Sequence, residues 1–68
     1  MKNTIKVERA KKDMTQEGLA EKIGVSRQTI NSIEKGKYVP STLLAIKMSD
    51  VFGVKVNDIF TLEEEDWS

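Results

Sequence analysis

The stretch Thr15–Pro40, TQEGLAEKIGVSRQTINSIEKGKYVP, decides how this chain folds. Thr15 is placed to cap a helix, and Glu17 puts a negative charge in its first turn, where the helix dipole favours one. Leu19, Ala20 and Ile23 share one helical face. Gly24 then stands where a terminating residue takes up the left-handed conformation. Ser26 caps the next helix, Arg27 to Lys35, which Gly36 closes. A turn of three or four residues through Gly24-Val25 sets two short helices at about 90–120°. Ala20 is small where they approach, Ile23 and Val25 fill the corner, and Ile30 and Ile33 face inward.

Working outward, a first helix runs from about Thr4 to Lys12, ending near Asp13. Pro40-Ser41 starts a fourth, with Leu43, Leu44, Ala45, Met48, Val51 and Phe52 as its apolar face, and Gly53 stops it. A short fifth turn surrounds Asn57-Asp58-Ile59, Asn57-Asp58 acting as a cap and not as a metal fragment. Phe60-Thr61-Leu62 has strand-like residues. Met14 and Met48 read as core. The fold class is therefore all-α: five short helices, with a short C-terminal strand. Residues 1–62 form one domain, its central motif at 15–35, and residues 63–68 form an acidic C-terminal tail.

Composition limits what such a domain does. The 68 residues and 7.7 kDa allow one small domain, 38% hydrophobic and 32% charged. With no Cys and no His there is no disulfide, no thiolate or imidazole metal site, and neither of those two groups for catalysis; no cofactor and no enzyme activity are expected. No apolar run approaches the ~20 residues of a membrane span, and the start of the chain has no secretory pattern, so no membrane association and a cytoplasmic location are expected. Eleven Lys+Arg balance eleven Asp+Glu. That zero conceals two opposed halves: residues 1–40 hold nine basic and five acidic side chains, whereas residues 41–68 hold two and six.

The positive half contains the helix from Arg27. Advancing about 100° per residue from the buried direction of Ile30 and Ile33, Gln28 and Lys35 point away, with Asn31 and Ser32 on either side and Arg27 on a flank. Gln or Asn can bond adenine bidentately, and Arg does the same with guanine. The two helix N-termini, Lys35, Lys37 and the Tyr38 hydroxyl suit phosphates. A polar face of this kind is often merely solvated, but here it coincides with a glycine turn, a matching core and a local positive excess.

The arrangement is that of a helix-turn-helix, and the segment SRQTINSIEKGKYVPS resembles the phage-repressor/Cro-like (XRE) family over roughly residues 3–60. The resemblance implies a lambda-repressor-like domain that binds operator double-stranded DNA with two half-sites as a homodimer and regulates transcription, most often as a repressor. It further implies that Gln16 contacts phosphate and orients a base-reading residue. Arg27, Gln28 and Asn31 would face the major groove, with Ser26 and Thr29 on backbone or base, and Lys35, Lys37 and Tyr38 on flanking phosphates. Arg9 and Glu34 match a salt bridge between the first and third helices; the alternative is two solvated surface charges.

Some positions depart from the family pattern. Gly18 replaces a common Glu and removes the capping box from Thr15. Glu8 stands where many members place an apolar residue while Val7 beside it is apolar, which leaves the buried face of the first helix open. Thr42 replaces a common Leu. Glu17 and Glu21 read as surface charges and not as a catalytic pair. The apolar patch Ile59, Phe60, Thr61 and Leu62 suggests a dimer contact by strand pairing; the other reading is that Phe60 and Leu62 close the monomer core. Trp67 either joins that contact or is disordered. A competing function is that of a protein-interaction module, such as an antitoxin whose acidic end covers a small basic protein partner.

Overall fold

Three hydroxyl side chains start three of the helices. Thr15 accepts from the Gly18 N–H at 2.9 Å, Ser26 from Thr29 at 3.2 Å and Ser41 from Leu44 at 3.2 Å. The computed structural model describes residues 1–68 and runs β1 (Lys2–Asn3), α1 (Ile5–Lys11), α2 (Gln16–Ile23), α3 (Arg27–Glu34), α4 (Thr42–Phe52), α5 (Val56–Ile59) and β2 (Phe60–Thr61), followed by a 3-10 turn at Glu64–Trp67. Gly24, at φ 77°, turns the chain out of α2 at the corner where a side chain would strain the backbone. The Thr15 cap makes half of a capping box even with Gly18 in place.

One core serves the whole chain. Ile5, Leu19, Ile23, Ile30, Ile33, Met48 and Ile59 are fully buried, with Ala20, Phe52 and Phe60 close behind. Its central contact is α2 against α3; α4 packs on α2, and α5 packs on α4 and β2. Lys47 of α4 reaches up to donate to the Ile23 carbonyl at 3.2 Å, satisfying one of the carbonyls left free at the end of α2.

Glu8 is buried and Val7 exposed. Ile5 anchors the inner face, and Val7 lies about 200° around the helix from it whereas Glu8 lies about 60° away. Glu8 therefore turns inward despite its charge, with Lys11 Nζ 3.2 Å from its carboxylate. Leu43 also departs from expectation. It is 62% exposed because α4 buries Met48 and Phe52, with Leu44 partly buried beside them, and Leu43 sits about 140° from Met48.

The strand-like segment pairs within the chain. Phe60 and Thr61 pair with Asn3 and Lys2 of the same chain, antiparallel. Ile59 and Phe60 pack in the core of the chain, 0% and 8% exposed. The Thr4 N–H adds a bond to the Ile59 carbonyl at 2.9 Å. Thr61 and Leu62 remain at the surface.

The acidic end is not simply a solvated tail either. The Met1 ammonium lies 2.9 Å from Glu63 and 3.1 Å from Asp66, and the Glu63 N–H donates to Asp66 at 2.8 Å. Hydrogen bonds to Glu63 and then Asp66 raise the pKa of the ammonium above its ordinary 8.0. The Glu63 N–H, and then the ammonium, lower that of Asp66 below 3.8. A raised amine stabilises the fold fully below pH 8.0 and loses that contribution as pH climbs through its folded value. A lowered carboxyl stabilises above pH 3.8 and loses it as pH falls through its folded value. Urea titrations of the wild type and Asp66→Asn should thus differ most between those limits, and the difference should shrink in alkali as the ammonium loses its proton. A difference constant up to pH 11 would contradict the contact.

Candidate nucleic-acid interface

Ile30 and Ile33 hold α3 against the core, so the opposite side of that helix must face solvent. Arg27, Gln28 and Lys35 are exposed there, and Asn31 and Ser32 are partly so. Two open clefts flank the helix. One is lined by Gln16, Arg27, Gln28 and Asn31; the other by Gln28, Thr29, Ser32, Lys37 and Tyr38. Gln28 borders both. Ser26 and Thr29 are engaged with the helix start, their hydroxyls 3.0 Å apart.

Behind this face lies a chain of polar contacts that fixes its geometry. Arg9 grips Glu34 through two bonds, Nε to Oε2 at 2.7 Å and a terminal nitrogen to Oε1 at 3.1 Å, and donates a third to the Met14 carbonyl at 2.9 Å. Gln16 Nε2 donates to the same Glu34 at 3.2 Å and to Asn31 Oδ1 at 3.3 Å. Helices α1, α2 and α3 are thereby tied together through four side chains. Asn31 is oriented by Gln16 while its amide N–H groups and a second carbonyl lone pair stay free. That is the donor and acceptor pair a base edge needs.

Some residues of the site carried no signal in the sequence. Asn3 Nδ2 donates to the Ile33 and Glu34 carbonyls at 3.0 and 3.4 Å, while its Oδ1 accepts from Ile5 at 3.2 Å. It closes the C-terminal end of α3 and fastens it to α1. Glu17 lines a third cleft with Arg9, Thr15, Gln16 and Arg27, putting a carboxylate at the edge of an otherwise neutral or basic face.

A family model described as helix-turn-helix matches residues 5–59. The chain belongs to the XRE-type helix-turn-helix family. It is similar to a helix-turn-helix-type transcriptional regulator of Methanocaldococcus jannaschii, 58% identical over 97% of this chain and 100% of the relative. One from Bacillus subtilis is 54% identical over 96% of this chain and 98% of its own length. Among solved structures it resembles the SOS-response transcriptional repressor LexA of Eubacterium rectale, with a TM-score of 0.73 and 30% identity over 90% of this chain and 73% of that one. The regulator thus has a lambda-repressor-like DNA-binding fold, and α2 and α3 are its helix-turn-helix. No helix is long and apolar enough to cross a membrane.

Proposed function

We propose that the regulator binds operator double-stranded DNA as a homodimer, inserts α3 in the major groove of each half-site, and represses transcription. The observation that carries this reading is the outward side of α3, where Arg27, Gln28 and the Gln16-oriented Asn31 stand clear of the core beside Lys37 and Tyr38. Arg27, Gln28 and Asn31 would read base edges. Lys35, Lys37, Tyr38 and the α2 and α3 N-termini would hold phosphates and fix the register without carrying sequence information. Ser26 and Thr29, joined at the helix start, would support the nearby backbone contact. The full-length similarity to transcriptional regulators and the likeness to a named repressor support the same role.

Binding titrations at two salt concentrations separate the two classes of contact. Gln28→Ala should lose about 1–3 kcal/mol on the preferred sequence and relax selectivity at the bases it reads. Lys37→Ala should weaken binding to all sequences alike and reduce the salt slope by about one. Equal, sequence-independent losses from both would contradict the assignment.

A further inference from the structure

We propose that Asn3 is a positioning residue for DNA recognition: it pins the C-terminal end of α3 so that Arg27, Gln28 and Asn31 meet base edges in a fixed register. The proposal rests on the operator-binding reading above and deepens it by naming a residue behind the DNA face that sets how well sequences are told apart. Asn3 lies in β1, outside the helix-turn-helix. Its Nδ2 donates to the Ile33 carbonyl at 3.0 Å and to the Glu34 carbonyl at 3.4 Å, and its Oδ1 accepts from the Ile5 N–H at 3.2 Å. The place requires two donors and a carbonyl acceptor on one short side chain, and Asn supplies them.

The mounting of α3 makes such a tie consequential. Its backbone packs chiefly on α2, and its N-terminal end is set by the Gly24 turn and the Ser26 cap. The last turn of a helix has carbonyls without helical partners. At that end Arg9 grips the Glu34 carboxylate, the tip of a flexible side chain, whereas Asn3 grips the backbone itself. Asn3 is in turn held to the core. It pairs with Phe60 across the β1–β2 ladder, and the Thr4 N–H donates to the Ile59 carbonyl at 2.9 Å. Ile59 and Phe60 are both buried, so the end of α3 takes its position from the most rigid part of the chain.

The location of the tie gives it a bearing on DNA. Lys35, Lys37 and Tyr38 follow directly on Glu34, and the Gly36 and Lys37 N–H groups bond back to the Ile33 and Ser32 carbonyls at 3.0 and 2.9 Å. The Ile33 carbonyl is thus shared between Asn3 and the loop. Asn3 holds the point where the base-reading helix passes into the phosphate-holding loop. Hydrogen bonds to base edges are short and directional, whereas the attraction of lysines to phosphate carries no register. A helix end released from Asn3 therefore loses base discrimination before it loses attraction to DNA as such.

Two variants isolate the tie. In Asn3→Ser a hydroxyl still accepts from the Ile5 N–H but has a single donor for two carbonyls. Asn3→Asp keeps the shape and sets a negative charge against the C-terminal end of α3, where the helix dipole opposes it. Met48→Leu, a modest core change in α4, controls for lost stability. Each full-length protein, its folding checked by circular dichroism, is titrated with the duplex that the wild type enriches most from random DNA and with a scrambled duplex of equal length. Asn3→Ser should lose about tenfold on the enriched duplex, on the scale of one base contact, and Asn3→Asp more. Both should stay within about twofold of the wild type on the scrambled duplex, and Met48→Leu should keep the wild-type ratio. Amide hydrogen exchange without DNA gives the second readout: Gly36 and Lys37 should exchange about tenfold faster in Asn3→Ser, and Leu19 should not. Wild-type discrimination in both Asn3 variants, equal losses on both duplexes, or unchanged exchange at Gly36 and Lys37 would overturn the positioning role and leave the operator reading standing. A wild type that enriches no sequence would overturn the operator reading and, with it, a role in discrimination.

Discussion

Arg9→Ala should destabilise the regulator by about 3 kcal/mol, the loss typical of a largely buried ion pair deprived of one partner. Arg9 and Glu34 are only 13% and 10% exposed, and Arg9 makes three hydrogen bonds. Without it, Glu34 keeps only the Gln16 amide at 3.2 Å, and the Met14 carbonyl loses its side-chain donor. At this chain length each kcal/mol moves the melting temperature by about 4–8 °C, so the variant should melt roughly 12–24 °C lower. The contrast with Arg9→Met combined with Glu34→Leu is informative. Removing both charges leaves no stranded carboxylate, and the pair variant should recover much of the loss. Thermal melts of the two proteins test this. A loss below about 0.5 kcal/mol in Arg9→Ala would mean that these are solvated surface charges.

Ile30→Ala should be as damaging for a different reason. The residue is fully buried at the centre of α3, and deleting three carbons there removes transfer energy and leaves a cavity, together about 2–5 kcal/mol. Ile30→Val should lose only about 0.5–1.5 kcal/mol. No DNA-facing side chain changes in either variant. Ile30→Ala should therefore still bind where it is folded, and saturating DNA should raise its melting temperature by mass action. Denaturant titrations with and without DNA measure both effects. A stable Ile30→Ala protein would show that α3 is not held by this contact.

What could be read from the sequence was whatever local chemistry dictates. Thr15, Ser26 and Ser41 cap helices because a short hydroxyl satisfies a free N–H within three residues, and Gly24 and Gly53 end helices because they take positive φ. The outward side of α3 followed from Ile30 and Ile33 by helical period alone. What escaped depends on distant partners. Nothing in Lys2-Asn3 announces a strand, since its partner is Phe60-Thr61 at the other end of the chain. Asn3 on the α3 carbonyls and Met1 on Glu63 and Asp66 are contacts of the same long-range kind. Glu8 escaped because burying a carboxylate opposes the usual ranking, and only the anchoring of Ile5 turns it inward.

The opposed charge halves take on a more specific meaning in the folded chain. Two of the four acids at Glu63–Asp66 are engaged with the N-terminal ammonium, and among the residues lining the three clefts beside α3 and the start of α2, only Glu17 is acidic. A chain that is neutral overall thus offers phosphate a polar to basic surface.

Selection of bound sequences from random double-stranded DNA reports binding by the regulator, its base preference and half-site symmetry in one measurement. An inverted repeat with half-site centres about one helical turn apart should be enriched, and Gln28→Ala should lose preference at specific positions. Retained sequences no different from the input pool would contradict operator binding.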